Sequence, residues 1–229
     1  MPCPTNGDPC AVLPLGDSIT EGFGYTGNGG GYRVQLYQRA LDDGKSITFT
    51  GTLLNGPNNV ANNQPFPRRH EGHGGYTIDG GGGNNGISGQ VTSNGIGSAV
   101  PHIVLLMIGT NDLNGNVDVA QAPTRLGKLV DQIIGLAPNA LVVVASIIPM
   151  NNGNGSKVGP YNTAIAKLVT DLAEAGKHVK FADNHAAFTS NANYTTAWMG
   201  DALHPNVQGY DVLGDSFYEV IQALLPDAP

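Results

Sequence analysis

The chain has little of several things that would settle its class at once. Of 229 residues only two are cysteine, Cys3 and Cys10, and one is tryptophan. A spacing of seven fits neither a CxxC redox motif nor a cluster of zinc ligands. Charged residues are only 13% of the chain, the reverse of a disordered acidic segment. Lys+Arg at 11 against Asp+Glu at 18 gives a net charge of -7. That balance argues against a generally basic nucleic-acid binder. No apolar run approaches the roughly 20 residues of a membrane-spanning helix. There is no GxSxG elbow, no HExxH and no phosphate-binding loop of the GxxxxGK type.

What is present is an ordinary apolar share of 40%, enough for a packed core, and 33 glycines. That is about twice the usual glycine share and has no period of three, so it marks a loop-rich surface. The length suits one domain, taken as residues 1–229. Cys3 and Cys10 lie before the first apolar run, and a local disulfide between them is expected over two free thiols. Low lysine, high asparagine and a lone cysteine pair favour a secreted, extracellular protein. Two acceptor triplets, Asn154-Gly155-Ser156 and Asn193-Tyr194-Thr195, are compatible with this. Residues 1–10 are polar and carry three prolines, unlike a signal peptide; a mature chain with an added Met1 is the expectation.

Apolar runs alternate with amphipathic stretches. Residues 11–15, 46–53, 102–108, 140–148 and 179–182 read as strands, and 32–41, 119–136, 161–175 and 207–225 as helices. Residues 54–86, dense in Gly, Asn and Pro, read as one long loop, a length usually tied to function or disorder. Continuous apolar strands alternating with helices imply parallel βαβ units. The expected architecture is α/β: a three-layer α/β/α sandwich around a parallel sheet of about five strands. Ligands bind beyond the carboxyl ends of such strands.

Three segments at those ends carry chemistry. Gly16-Asp17-Ser18-Ile19-Thr20-Glu21-Gly22 places a serine where a strand turns into a helix, which exposes its hydroxyl. Ser18 is equally suited to capping that helix. Gly109-Thr110-Asn111-Asp112 offers an amide that can donate to a developing oxyanion, or a plain turn. In Asp201-Ala202-Leu203-His204-Pro205-Asn206 a carboxylate three residues before an imidazole can fix its tautomer. Pro205 is expected to begin the following helix. Each signal alone is weak; their order along the chain is not.

Together these segments resemble the blocks of the SGNH (GDSL-type) hydrolases, with Gly74-Gly75-Tyr76-Thr77 standing where the family has its glycine block. The resemblance runs from Leu13 to about Tyr210. GHGGYT and DALHPNVQGY are most similar to the third carbohydrate-esterase family, the secreted acetylxylan esterases and acetylesterases. It implies the flavodoxin-like fold of that superfamily and a serine esterase acting on acetyl or other small acyl groups of carbohydrate. Ser18 would be the nucleophile, His204 the base and Asp201 its orienter. The oxyanion hole would be made by the N–H groups of Ser18 and Gly75 and the amide of Asn111, with Asp17 and Asp112 in support. Tyr76 and Trp198 are candidates to line the substrate site. The expected partner is an acetylated carbohydrate or small ester, with no nucleic acid or membrane, and the chain is expected to be a monomer. The chemistry asks for no metal or organic cofactor, although the Asn- and Asp-rich loops suit a structural calcium. The alternatives are a lipase, lysophospholipase or thioesterase on the same scaffold, and a carbohydrate-binding module without catalysis.

Other motifs receive plainer readings. Gly22-Phe23-Gly24-Tyr25-Thr26-Gly27 matches GxGxxG but runs into further glycines, which helices disfavour. Gly214-Asp215-Ser216 repeats the GDS triplet inside a helical pattern. His70 and His73 are expected as loop histidines bonded to backbone, and His102, His178 and His185 show no pairing.

Overall fold

Strand β1 (Cys10–Gly16) is buried at every position except Ala11. Strands β5 (Ile103–Met107) and β6 (Leu141–Ala145) are buried throughout. Only a strand covered on both faces can be apolar at consecutive positions, because neighbouring side chains point to opposite sides. The computed structural model describes residues 2–24, 28–92, 96 and 100–228. It joins these strands to β2 (Ile47–Phe49), β3 (Leu53–Leu54), β4 (Arg69–Gly72) and β7 (Val179–Ala182) in one seven-stranded sheet of order β3-β4-β1-β5-β6-β7, with β2 paired to β1. Every pairing is parallel except β3 with β4. The α/β fold with its mostly parallel sheet is therefore the one expected, with seven strands in place of about five.

The extra strands lie in two segments where the structure differs from the expectation. The strand expected at 46–53 breaks at Thr50-Gly51-Thr52 into β2 and β3. The segment 54–86 holds β4, whose His70, Glu71 and Gly72 are buried. A polar segment gives no apolar period, so pairing to β1 through Leu15↔Glu71 and Gly16↔Gly72 was invisible in it.

Helices α1 (Ser18–Glu21), α2 (Tyr32–Asp42), α3 (Thr110–Asn114), α4 (Ala122–Leu136), α5 (Val158–Glu174), α6 (Asn184–Thr189), α7 (Tyr194–Ala197) and α8 (Val207–Ile221) connect the strands. α2 and α6 pack on α8, while α4 packs on α5, and both groups touch the sheet. The buried face of α4 runs Leu126, Leu129, Val130, Ile133, the spacing of one helical face. Its start shifts from the expected 119 to 122 because Pro123 stands in the first turn, where its missing N–H costs nothing. α8 starts at the expected Val207: the Asn206 side chain accepts from Gly209 N at 3.0 Å and caps the helix. Pro205 lies one residue before that cap. A single buried cluster links the sheet to both helix groups.

Candidate active site

Register builds the site. Gly16, the last residue of β1, pairs with Gly72 of β4 on one side and Met107 of β5 on the other. The segments that follow, Asp17-Ser18, His73 to Tyr76 and Ile108 to Asp112, therefore leave the sheet side by side at its carboxyl edge. His73 N donates to Gly16 O at 2.9 Å and draws the second segment against the first. Gly72 has to be glycine: a Cβ there would stand 2.2 Å from Glu21 N and push α1 off β4.

Ser18 is the first residue of α1, and the cap belongs to its neighbour: Asp17 Oδ1 accepts from Ile19 N at 2.9 Å. That removes the capping alternative for Ser18. Its Oγ lies 2.9 Å from His204 Nε2. On the other side of the ring, Asp201 Oδ2 is 2.9 Å and Oδ1 3.1 Å from Nδ1. Asp201 Oδ1 also accepts from the backbone N–H of Leu203 and of His204, each at 2.7 Å. Burial works to raise this carboxyl, but those bonds and His204 itself hold it below the ordinary range. An ionised carboxylate on Nδ1 leaves Nε2 to accept the serine proton, the arrangement that activates a hydroxyl.

Near these groups lie donors without partners. Neither Ser18 N nor Gly75 N makes a hydrogen bond among the described residues. Gly75 has φ of +80°, a conformation that side-chain-bearing residues rarely adopt. The Asn111 amide donates to Tyr76 O at 2.8 Å, and its second hydrogen has no partner among the described residues. Asp112 is fully buried; it accepts from Ile78 N at 3.0 Å and from Arg125 Nη2 at 2.7 Å. Burial pushes its carboxyl up, against the pull of Arg125. Asp17 is pushed up to about 6 by burial, opposed by the Ile19 N–H and by His204. Asp17 thus braces the backbone around Ser18, and Asp112 ties α3 to the backbone at Ile78.

The remaining candidates fall outside this cluster or on its rim. Tyr76 stacks on His73 with ring centres 4.8 Å apart. His73 Nε2 meets the buried Glu71 carboxylate at 2.8 Å, and His70 Nδ1 accepts from Gly72 N at 3.0 Å. So His70 is bonded to backbone as expected, whereas His73 pairs with a side chain. Burial, aided by Arg33, lowers His70 to about 3 and keeps it neutral. Trp198 is half-buried, edge-on to Phe188 at 5.7 Å. His102 Nδ1 accepts from Ala11 N at 2.9 Å. In the second GDS, Ser216 donates to Asn184 Oδ1 at 2.8 Å inside α8. Part of the GxGxxG match, Tyr25 to Gly27, lies outside the described residues. Cys3 and Cys10 form a disulfide. No three His, Cys, Asp or Glu residues come together as a metal site among the described residues.

Several contributors were missed. Phe23 lies 4.6 Å from the His204 ring. Arg33 is fully buried and donates to the carbonyls of Thr20 and Glu21, at 3.4 and 3.3 Å, behind α1. Arg33 stands three residues before Leu36 and seven before Ala40, on the buried face of α2, and a lone arginine on an apolar face was the available signal. Arg125 and Phe23 carry no such signal.

Residues 15–212 match the model of the GDSL-like lipase/acylhydrolase family. A multidomain esterase of Ruminococcus flavefaciens is 31% identical over 93% of this chain, which spans only 28% of that protein. The fold superimposes on a family 3 carbohydrate esterase of Clostridium thermocellum with a TM-score of 0.78 and 32% identity, over 95% of this chain and 99% of the other. A family 3 carbohydrate esterase from Talaromyces cellulolyticus gives a TM-score of 0.75 and 27% identity, over 94% of this chain and 97% of the other.

Proposed function

The chain belongs to the GDSL-like lipase/acylhydrolase family, and from that premise we propose that it is a serine esterase that removes acetyl groups from carbohydrate, acetylated xylan being the substrate in view. The observation that carries this reading is the Ser18 Oγ to His204 Nε2 contact of 2.9 Å with Asp201 on the opposite ring nitrogen. Ser18 attacks the ester carbonyl while His204 takes its proton. The N–H groups of Ser18 and Gly75 and the free amide hydrogen of Asn111 receive the negative charge on the carbonyl oxygen. His204 then gives its proton to the departing alcohol, leaving an acyl-serine. A water molecule, deprotonated by His204, hydrolyses that ester and restores the serine. Asp201 stabilises the imidazolium in both halves. The likeness to family 3 carbohydrate esterases supports a sugar-linked ester.

The single buried cluster supports residues 1–229 acting as one catalytic domain, taken as a monomer. The disulfide supports secretion into an oxidising space. Among the described residues no helix is long and apolar enough to cross a membrane.

Initial rates on acetyl, butyryl and octanoyl p-nitrophenyl esters test the reading, with Ser18→Ala as control. A preference for acetyl that the variant loses by at least about a thousandfold supports it. A preference for octanoyl would replace it with a lipase, and full activity of Ser18→Ala would remove the nucleophile.

A further inference from the structure

Phe23 is 55% exposed, yet its ring lies against the imidazole of His204 at 4.6 Å. It forms one wall of a cleft of about 380 Å³ whose other lining includes Glu21, Asn28 and Asn55. Through Phe23 the cleft adjoins the imidazole. Glu21 lines it as well, and its Oε2 is 2.9 Å from where a Cβ would stand on Gly74. Asn55, on the same lining, is held by two bonds: Arg33 donates to its Oδ1, and its Nδ2 donates to Glu21 O at 2.9 Å. The second hydrogen of that Nδ2 and the Glu21 carboxylate make no hydrogen bond among the described residues.

We propose that this cleft is the subsite for the leaving group, and that it takes a neutral sugar ring. The inference rests on the esterase reading and adds the residues that select the alcohol. His204 must protonate the departing oxygen, so the alcohol lies on the imidazole side of the nucleophile, where Phe23 stands. An acetyl group needs far less room than this cleft provides; such a volume suits a larger ligand with a few fixed polar contacts. The C–H face of a sugar ring covers an aromatic ring that water otherwise leaves exposed. The ring hydroxyls then meet an acceptor at Glu21 and a donor at Asn55. The Glu21 carboxylate also opposes a negatively charged sugar, so a uronate is discriminated against.

The test compares kcat/KM for ethyl acetate, a monoacetylated methyl β-xyloside and a monoacetylated methyl β-glucuronoside. Ethanol is too small to span the cleft. In the wild type the xyloside ester is expected to be the best of the three. In Phe23→Ala the xyloside to ethyl acetate ratio falls about tenfold, mainly through KM. In Glu21→Gln the preference for xyloside over glucuronoside falls about fivefold. Phe23→Leu keeps an apolar side chain on His204 and reads the same ratio if the alanine variant does not fold. Ratios unchanged in Phe23→Ala or Phe23→Leu and in Glu21→Gln, or a wild type indifferent to the alcohol, overturn the subsite while leaving the esterase. No hydrolysis of any of the three esters overturns both.

Discussion

The side-chain amide of Asn111 donates to the backbone carbonyl of Tyr76 at 2.8 Å. The two residues belong to different segments, one following β5 and the other following β4. Their bond fixes the amide plane and directs its remaining hydrogen, and it ties the turn at Gly75 to α3. Two of the three proposed oxyanion donors are thereby held relative to each other before substrate arrives, so little reorganisation accompanies the reaction.

Asn111→Ala is accordingly expected to lower kcat by about 10²–10³, with a far smaller change in KM. Steady-state rates on p-nitrophenyl acetate measure both. An unchanged kcat would take Asn111 out of the hole.

Arg125 is a second hub. Its Nη2 meets the fully buried Asp112 at 2.7 Å and Val117 O at 2.8 Å, and its Nε meets Asp79 at 2.8 Å. Arg125→Met leaves the Asp112 charge buried and unpaired, so urea unfolding should show a loss of about 3–5 kcal/mol. Asp112→Asn in that background removes the stranded charge and should recover part of the loss. No recovery would mean that Arg125 acts through packing alone.

Asp17 provides a pH dependence of stability. Burial raises its carboxyl from 3.8 to about 6, so the folded state holds this proton more tightly than the unfolded state. Its contribution to stability is present below pH 4 and is lost as pH rises through about 6. Asp17→Asn keeps an oxygen for Ile19 N but cannot ionise. The stability of the variant minus that of the wild type should therefore rise by up to roughly 3 kcal/mol between pH 3 and pH 7. A difference that stays flat in urea midpoints over that range would place the Asp17 carboxyl at its ordinary value.

The Cys3–Cys10 bridge closes a loop with a sequence separation of 7. By chain entropy it contributes about 2–3 kcal/mol, so the double alanine variant should melt roughly 5–10 °C lower. Cys10 begins β1 and Ser18 follows its far end, roughly 20 Å away along the strand. Activity at 25 °C should therefore survive. Loss of activity without loss of Tm would show that the bridge reaches the site.

The strands at the middle of the sheet and the proposed site blocks were legible in local sequence. β5 and β6 are short apolar runs whose burial follows from composition, and β7, with Lys180 exposed, still matches its expected bounds of 179–182. Ser18, Asn111, Asp201 and His204 were legible because each lies just beyond a strand or before a helix, where local signals are strong. Other features arise from contacts between distant parts of the chain. β4 has no apolar period of its own and exists because β1 offers it an edge at Leu15 and Gly16. The Asp17 cap on α1 is local, but His204, 186 residues away in sequence, reaches the serine hydroxyl only through the fold. Phe23, Arg33 and Arg125 acquire their roles from neighbours remote along the chain. Local sequence encodes propensity and periodicity, but the sheet register that brings Gly16, Gly72 and Met107 abreast is a sum over distant contacts.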